Sequence, residues 1–190
     1  RPLDAHGFAL RINDEEYRLL AKLEAAENCV CLKERADFAL GIVTGDNKRY
    51  LSNECLDGME PVVTGSDVYR YRYQDSGKYV DPDLALYQQA APAKLYRAPE
   101  KLIYRFINRQ LVFAYDDRQR LTLNSCNVVI PRVERLDMKY IMAVLNSRVA
   151  QYMYEKRYHV VKVLRSHIES IPIPLADVRS QQEIIQMADN

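Results

Sequence analysis

No run of 18 apolar residues occurs in this chain, so no stretch of it is suited to crossing a membrane as a helix. No leader pattern for secretion is present either. The four cysteines, Cys29, Cys31, Cys55 and Cys126, form no Cys-x-x-Cys pair. Without zinc-site spacing they read as buried, reduced thiols, and a cytoplasmic protein is expected. Glycine-rich nucleotide signatures are missing, both Gly-x-Gly-x-x-Gly and the phosphate loop. A nuclease needs spaced carboxylates beside a lysine to hold a metal. The nearest candidates, Asp116-Asp117 and Glu100-Lys101, sit where turns account for them. His6, His159 and His167 lie too far apart in sequence for metal-ligand spacing. Internal repeats and low-complexity tracts are absent as well. No catalytic residue, metal or cofactor is assigned to this chain.

What is present suits a globular domain: 48% hydrophobic and 28% charged residues in a chain of 190. A chain of this length buries about 70% of its unfolded surface without staples. Beginning at Arg1-Pro2, it reads as a piece cut from something longer. A net charge of +1 by itself names no partner, but its distribution is uneven. Residues 1–60 carry 8 basic against 12 acidic side chains, residues 61–135 carry 12 against 8, and residues 136–190 carry 7 against 6. In the tail, Arg148, Lys156, Arg157, Lys162 and Arg165 face only Glu155. Basic charge thus gathers in the middle and along one helical segment, compatible with a nucleic-acid footprint.

Asn13 is placed to cap a helix over 14–27, with Glu16 reaching back and an Ile12–Tyr17 staple. Residues 28–44 read as two short strands around Lys33-Glu34-Arg35, with Ala36, Phe38, Leu40 and Ile42 on one apolar face. Gly41 to Tyr50 follows as strand, sharp loop and strand. Gly41 and Gly45 allow backbone angles closed to other residues, and Asp46 and Asn47 are suited to bonding their own turn. Lys48, Arg49 and Tyr50 then present two cations and a ring. As a bare Gly-x-x-x-Gly pattern it reads first as a plain hairpin turn.

In Val68-Tyr69-Arg70-Tyr71-Arg72-Tyr73, strand period puts the tyrosines on one face and Arg70 and Arg72 on the other. Rings stack on bases and guanidiniums bind phosphate, although a half-buried strand with solvated arginines explains the pattern too. Loops fill 75–100. Alternation resumes from Lys101, with Leu102 and Tyr104 opposite Ile103 and Arg105, and Asn108-Arg109-Gln110 turns the chain into Leu111–Tyr115. Strands continue to Ile130. Asp137 caps a helix through Leu145, Asn146-Ser147 interrupts it, and Ser147 caps a second. Ile171-Pro172-Ile173-Pro174 must be extended, and Ser180 with Glu183 opens a last helix.

In order along the chain, these segments resemble the TaqI-like C-terminal specificity domain, the target-recognition domain of bacterial restriction–modification enzymes. The carriers are Gly41–Lys48, Pro99–Arg105, Ala114-Tyr115-Asp116, Tyr140–Ser147, and Ile168–Pro174 with Gln181–Ile184. The closing segment is similar to type I specificity subunits. The resemblance implies an α+β fold: a strand-rich recognition domain with a mixed twisted sheet and an N-terminal helix over 1–135, and a helical segment over 136–190. It also implies an adenine-N6 methyltransferase parent that uses S-adenosylmethionine, possesses the catalytic motifs absent here, and in some members an endonuclease. Duplex DNA is then the partner. The expected contacts are Thr44, Asp46, Asn47, Lys48, Arg49 and Tyr50, the arginines Arg70, Arg72 and Arg105, Asn108 and Arg109, and Lys156 and Arg157 in the tail. Two alternatives stay open: an assembly domain acting through the C-terminal helices, and an RNA-binding module using the Tyr/Arg face.

Overall fold

The computed structural model describes residues 13–189, so the expected Ile12–Tyr17 staple and His6 lie outside the described residues. In chain order the elements are α1 (Asp14–Glu24), β1 (Cys29–Val30), β2 (Ala36–Ala39), α2 (Asn47–Tyr50), β3 (Glu60–Val63), β4 (Tyr79–Val80) and α3 (Ala93–Tyr96). There follow β5 (Lys101–Arg105), β6 (Phe113–Asp116), β7 (Leu121–Thr122), β8 (Cys126–Pro131), α4 (Met138–Leu145), α5 (Arg148–Arg157), α6 (Arg165–Glu169), β9 (Ile173–Pro174) and α7 (Val178–Asp189). Helices and mixed sheets make this an α+β fold, as the sequence implies.

The central sheet is antiparallel in the order β2-β8-β5-β6. Its alternation sorts side chains onto two sides. Leu102 and Tyr104 of β5 join Phe113 and Val129 under α4 and α5, in a core that also takes Leu32, Ile141, Leu145 and Tyr154. Ile103, Ala114 and Cys126 point the other way, against Val63 and Val68. The smaller sheet, β4-β3-β7, is mixed: β3 pairs antiparallel with β4 and parallel with β7. It packs Ile42, Val62, Val80, Tyr96, Leu121 and Val128 into a second core. Each large aliphatic side chain buried in this way contributes about 1.5–3 kcal/mol.

Both faces of β2 are covered, because Phe38 leans on the helical core while Ala39 enters the second. The single apolar face expected for Ala36–Ile42 is therefore not found; β2 lies between two cores. The edge of β6 is closed by two side-chain amides together with a parallel bridge from Tyr71 to Ala114. Asn146 Oδ1 accepts from Phe113 N–H at 3.0 Å, its Nδ2 donates to the Phe113 carbonyl at 2.9 Å, and Gln151 Oε1 accepts from Leu111 N–H at 2.8 Å. Asn146 ends α4 as expected, and its amide takes the place of a neighbouring strand.

The Asn13–Glu16 capping box forms, with bonds of 2.8 and 3.0 Å. Ser147 caps α5 by accepting from Ala150 N–H at 3.1 Å. Some ends shift. α1 stops at Glu24 rather than 27, and α7 starts at Val178 because Asp177, not Ser180, takes the free N–H at 2.8 Å. The loop-rich 75–100 region contains α3, whose Tyr96 is fully buried. Lys101 and Asp116 are not turn residues: they face each other across β5 and β6 and form an ion pair with no solvent exposure.

Candidate nucleic-acid interface

Residues 68–74 are a tight hairpin rather than a regular strand. Tyr71 has φ of +74°, which breaks the alternation and keeps the tyrosines off a common face. Tyr69 N–H donates to the Arg72 carbonyl at 2.8 Å, and Gln74 N–H to the Asp67 carbonyl at 3.0 Å. At its base, Asp67 accepts from Thr64 N–H at 2.8 Å and from Thr64 Oγ1 at 2.5 Å. Gly65 is required there, since a Cβ would stand 2.6 Å from the Ser125 carbonyl oxygen.

Two of the tyrosines fasten the hairpin. Tyr71 N–H donates to the Phe113 carbonyl at 2.8 Å, and Tyr73 donates its hydroxyl to Asp116 Oδ1 at 2.7 Å. Asp116 also accepts from Arg118 and Arg120 N–H, each at 3.0 Å. Burial, reinforced by the Asp116 carboxylate, raises the Tyr73 phenol well above the usual tyrosine range. Desolvation pulls Lys101 below its ordinary value in spite of Asp116. The remaining ring, Tyr69, is 40% exposed. It carries the Arg72 guanidinium 5.9 Å from its centre and that of Arg105 at 5.6 Å, while Arg105 Nε donates to the Val68 carbonyl at 2.7 Å. Arg70 and Arg72 point into solvent.

The chain brings two more segments beside this hairpin. Val163 N–H donates to the Phe106 carbonyl at 2.8 Å, Ile107 pairs with Lys162 in an antiparallel bridge, and the Lys162 ammonium lies 5.8 Å from the Phe106 ring. Asn108 spends its amide on the Gln110 carbonyl at 3.0 Å, shaping the turn and leaving Arg109 exposed. Hairpin, turn and linker together carry Arg70, Arg72, Arg105, Arg109, Lys162 and Arg165. The acids among and beside them are engaged: Asp67 within its own turn, Asp75 with Arg120 at 3.2 Å, and Glu169 with Arg165 at 2.8 Å. A positive surface results. Lys162 belongs to it, although along the chain it reads only as part of a basic tail. Its link to Ile107 spans 55 residues, and no local pattern reports that.

Loop 44–50 is a second exposed site with different anchors. Val43 N–H donates to the Gln89 carbonyl at 2.8 Å and Ser52 exchanges bonds with Tyr79 at 2.9 and 3.0 Å. Here the expected resumption of a strand gives way to α2, because Asp46 Oδ1 caps it from Lys48 N–H at 3.0 Å and Arg49 N–H at 3.3 Å. Gly45 has φ of +79°, as its place in the turn requires. Gly41 serves differently: a Cβ there would overlap the carbonyl oxygens of Leu123 and Cys126. Thr44 donates to Asn47 Oδ1 at 2.6 Å, so Thr44, Asp46 and Asn47 hold the loop itself. Lys48 and Arg49 are left exposed, with Arg49 5.1 Å over Tyr50 and Tyr50 edge-on to Tyr87 at 5.5 Å.

Lys156 and Arg157 stand apart from both sites. Lys156 is ion-paired with Glu16, and Arg157 with Glu24 at 2.7 Å, fastening α1 to α5. The hydrogen bond from Lys156, with that from Asn13, lowers the Glu16 carboxyl, and the bond to Glu16 raises the Lys156 ammonium. Their charge serves helix packing.

The model of the TaqI-like C-terminal specificity domain matches residues 60–173. That span opens at β3, closes at β9, and contains the hairpin, the turn and the linker; loop 44–50 precedes it. Among solved structures, the HsdS subunit from Thermoanaerobacter tengcongensis superposes with a TM-score of 0.54 at 14% identity, over 92% of this chain and 42% of that one. A structure from work on complex assembly and conformational transition of the type I R-M system gives 0.53 at 13% identity, over the same 92% and 42%. This chain spans less than half the length of either, and at such identities the likeness is one of fold. No curated protein matches. The matched residues make up more than half of the chain and hold three of the four strands of its central sheet and its basic surface, and the protein belongs to the TaqI-like C-terminal specificity domain family.

Proposed function

We propose that this chain is the duplex-DNA target-recognition module of a restriction–modification adenine-N6 methyltransferase. The observation that carries this is the surface made by 68–74, 105–110 and 159–165, where six cations and Tyr69 stand on rigid supports within the family span. Phosphate contacts give affinity and register, and a few fixed side chains read base edges. Arg70, Arg72 and Arg109 are exposed and mounted on short turns, which suits them to this work. Lys48 and Arg49 of α2 form a second contact site. Methyl transfer belongs to a methyltransferase domain or subunit that binds S-adenosylmethionine, and this chain selects where it acts.

The test is methylation and binding by the full-length protein carrying this chain. Replacing Arg70, Arg72 and Arg109 by alanine abolishes preference for the target over scrambled duplex while the melting temperature holds. Unchanged site preference overturns the proposal. A second reading, assembly through the helices, draws on an apolar cavity of about 330 Å³ lined by Leu23, Val144, Val149, Met153 and Ile184. Val149→Glu disrupting a subunit contact, with DNA selection untouched by the arginine changes, favours that reading.

A further inference from the structure

Four apolar side chains stand exposed within the basic surface: Ile107 at 60%, Val161 at 52%, Leu164 at 42% and Val160 at 40%. They project from two segments tied together by the Ile107–Lys162 bridge and the Val163–Phe106 bond. Arg105, Arg109, Lys162 and Arg165 lie within two residues of them along these segments, and the neighbouring acid, Glu169, is paired with Arg165. An apolar ledge so bordered fits an occupant that is polyanionic at its rim and apolar at its centre. A DNA major groove has that form: phosphates line its edges, and the thymine C5-methyl is the apolar group on its floor. Resting on the recognition function proposed above, we infer that Ile107 reads a thymine methyl group in the target.

The tip of the turn suits this role. Asn108 uses its side chain to hold the turn, so Ile107 is presented on a fixed backbone with Arg109 two residues on for a phosphate. A β-branched side chain has few rotamers to lose on contact. Burying one methyl is worth about fourfold in affinity.

The experiment begins with selection of a preferred duplex from a randomised pool by the full-length protein. Each thymine of that duplex is then replaced by deoxyuridine, which removes the methyl and leaves the pairing intact. At one or two positions wild-type binding weakens about fourfold, as expected for one buried methyl. Ile107→Ala binds the thymine and uracil duplexes alike, with its salt dependence unchanged. Equal binding of every uracil duplex by wild type overturns the inference while leaving sequence-specific recognition standing. A selected site without an A·T pair does the same, as does Ile107→Ala losing a protein partner instead of base discrimination. Failure of the pool to yield any preferred site would instead sink the recognition function itself.

Discussion

Asp116 gathers four groups: the Lys101 ammonium, the Tyr73 hydroxyl and the Arg118 and Arg120 amides. Removing one partner of such a pair leaves the other charged and dry. Asp116→Ala therefore destabilises the fold by about 3–5 kcal/mol, whereas Lys101→Met with Asp116→Leu recovers the part due to the buried lone charge and still loses the acceptor of the Tyr73 hydroxyl and the Arg118 and Arg120 amides. Urea midpoints of the two single variants and the double variant check this; equal losses for single and double would contradict it. Gly41→Ala is the second test at this scale. The new methyl meets the Leu123 and Cys126 carbonyls, which belong to the backbone and cannot swing away. A loss of about 1–3 kcal/mol is expected, as for an overpacked core. Gly58→Ala, where nothing lies within 4 Å, isolates the other cost, that of a positive φ. A Gly41→Ala melting temperature equal to wild type would remove the close-approach argument.

At the scale of elements, α1 is held to α5 by two ion pairs, Glu16–Lys156 and Glu24–Arg157. The Glu16 carboxyl is lowered from 4.5 in the folded chain. Its contribution is therefore full above pH 4.5 and disappears as pH falls through the folded value. Wild type and Glu16→Gln should differ in melting temperature at pH 7 and converge as pH is taken progressively below 4.5; a constant difference would show that charge is irrelevant there. The β6 edge offers another check. Asn146→Leu keeps much of the volume but leaves the Phe113 N–H without its partner, at a cost of about 1–3 kcal/mol. Faster hydrogen exchange at Phe113 should accompany it.

For the molecule as a whole, what matters is the sum of charges on one surface. If Arg70, Arg72, Arg109 and Lys162 each neutralise a phosphate, removing all four lowers the slope of log affinity against log salt by about 3.6. Replacing Lys156 and Arg157 instead should leave that slope alone and loosen α1. Opposite results would move the interface to the helical tail. Helices α4 and α5 share a core with β5 and β6 rather than forming a separate body: Ile141, Leu145 and Tyr154 pack with Leu102 and Phe113. Substitutions in α4 are thus expected to affect the whole fold.

Much of this was written locally. Caps at Asn13, Asp137 and Ser147, the alternation of Leu102 to Arg105, and the proline-enforced extension at 171–174 depend on neighbours a few residues apart, so the order of residues alone determined them. The family likeness was legible for the same reason, as motifs in sequence. Other features depend on contacts that close loops of tens of residues. The Lys101–Asp116 pair looked like two turn residues because each sits at a strand end, and only the β5–β6 register sets them face to face. The Tyr69–Tyr73 stretch has perfect strand spacing, yet Phe113 and Asp116 hold it as a hairpin in which Tyr71 takes a positive φ. Lys156 and Arg157 read as free cations until α1 brought Glu16 and Glu24 against them. Charge and period are properties of the sequence; which charges remain exposed, and on which surface, is decided by packing.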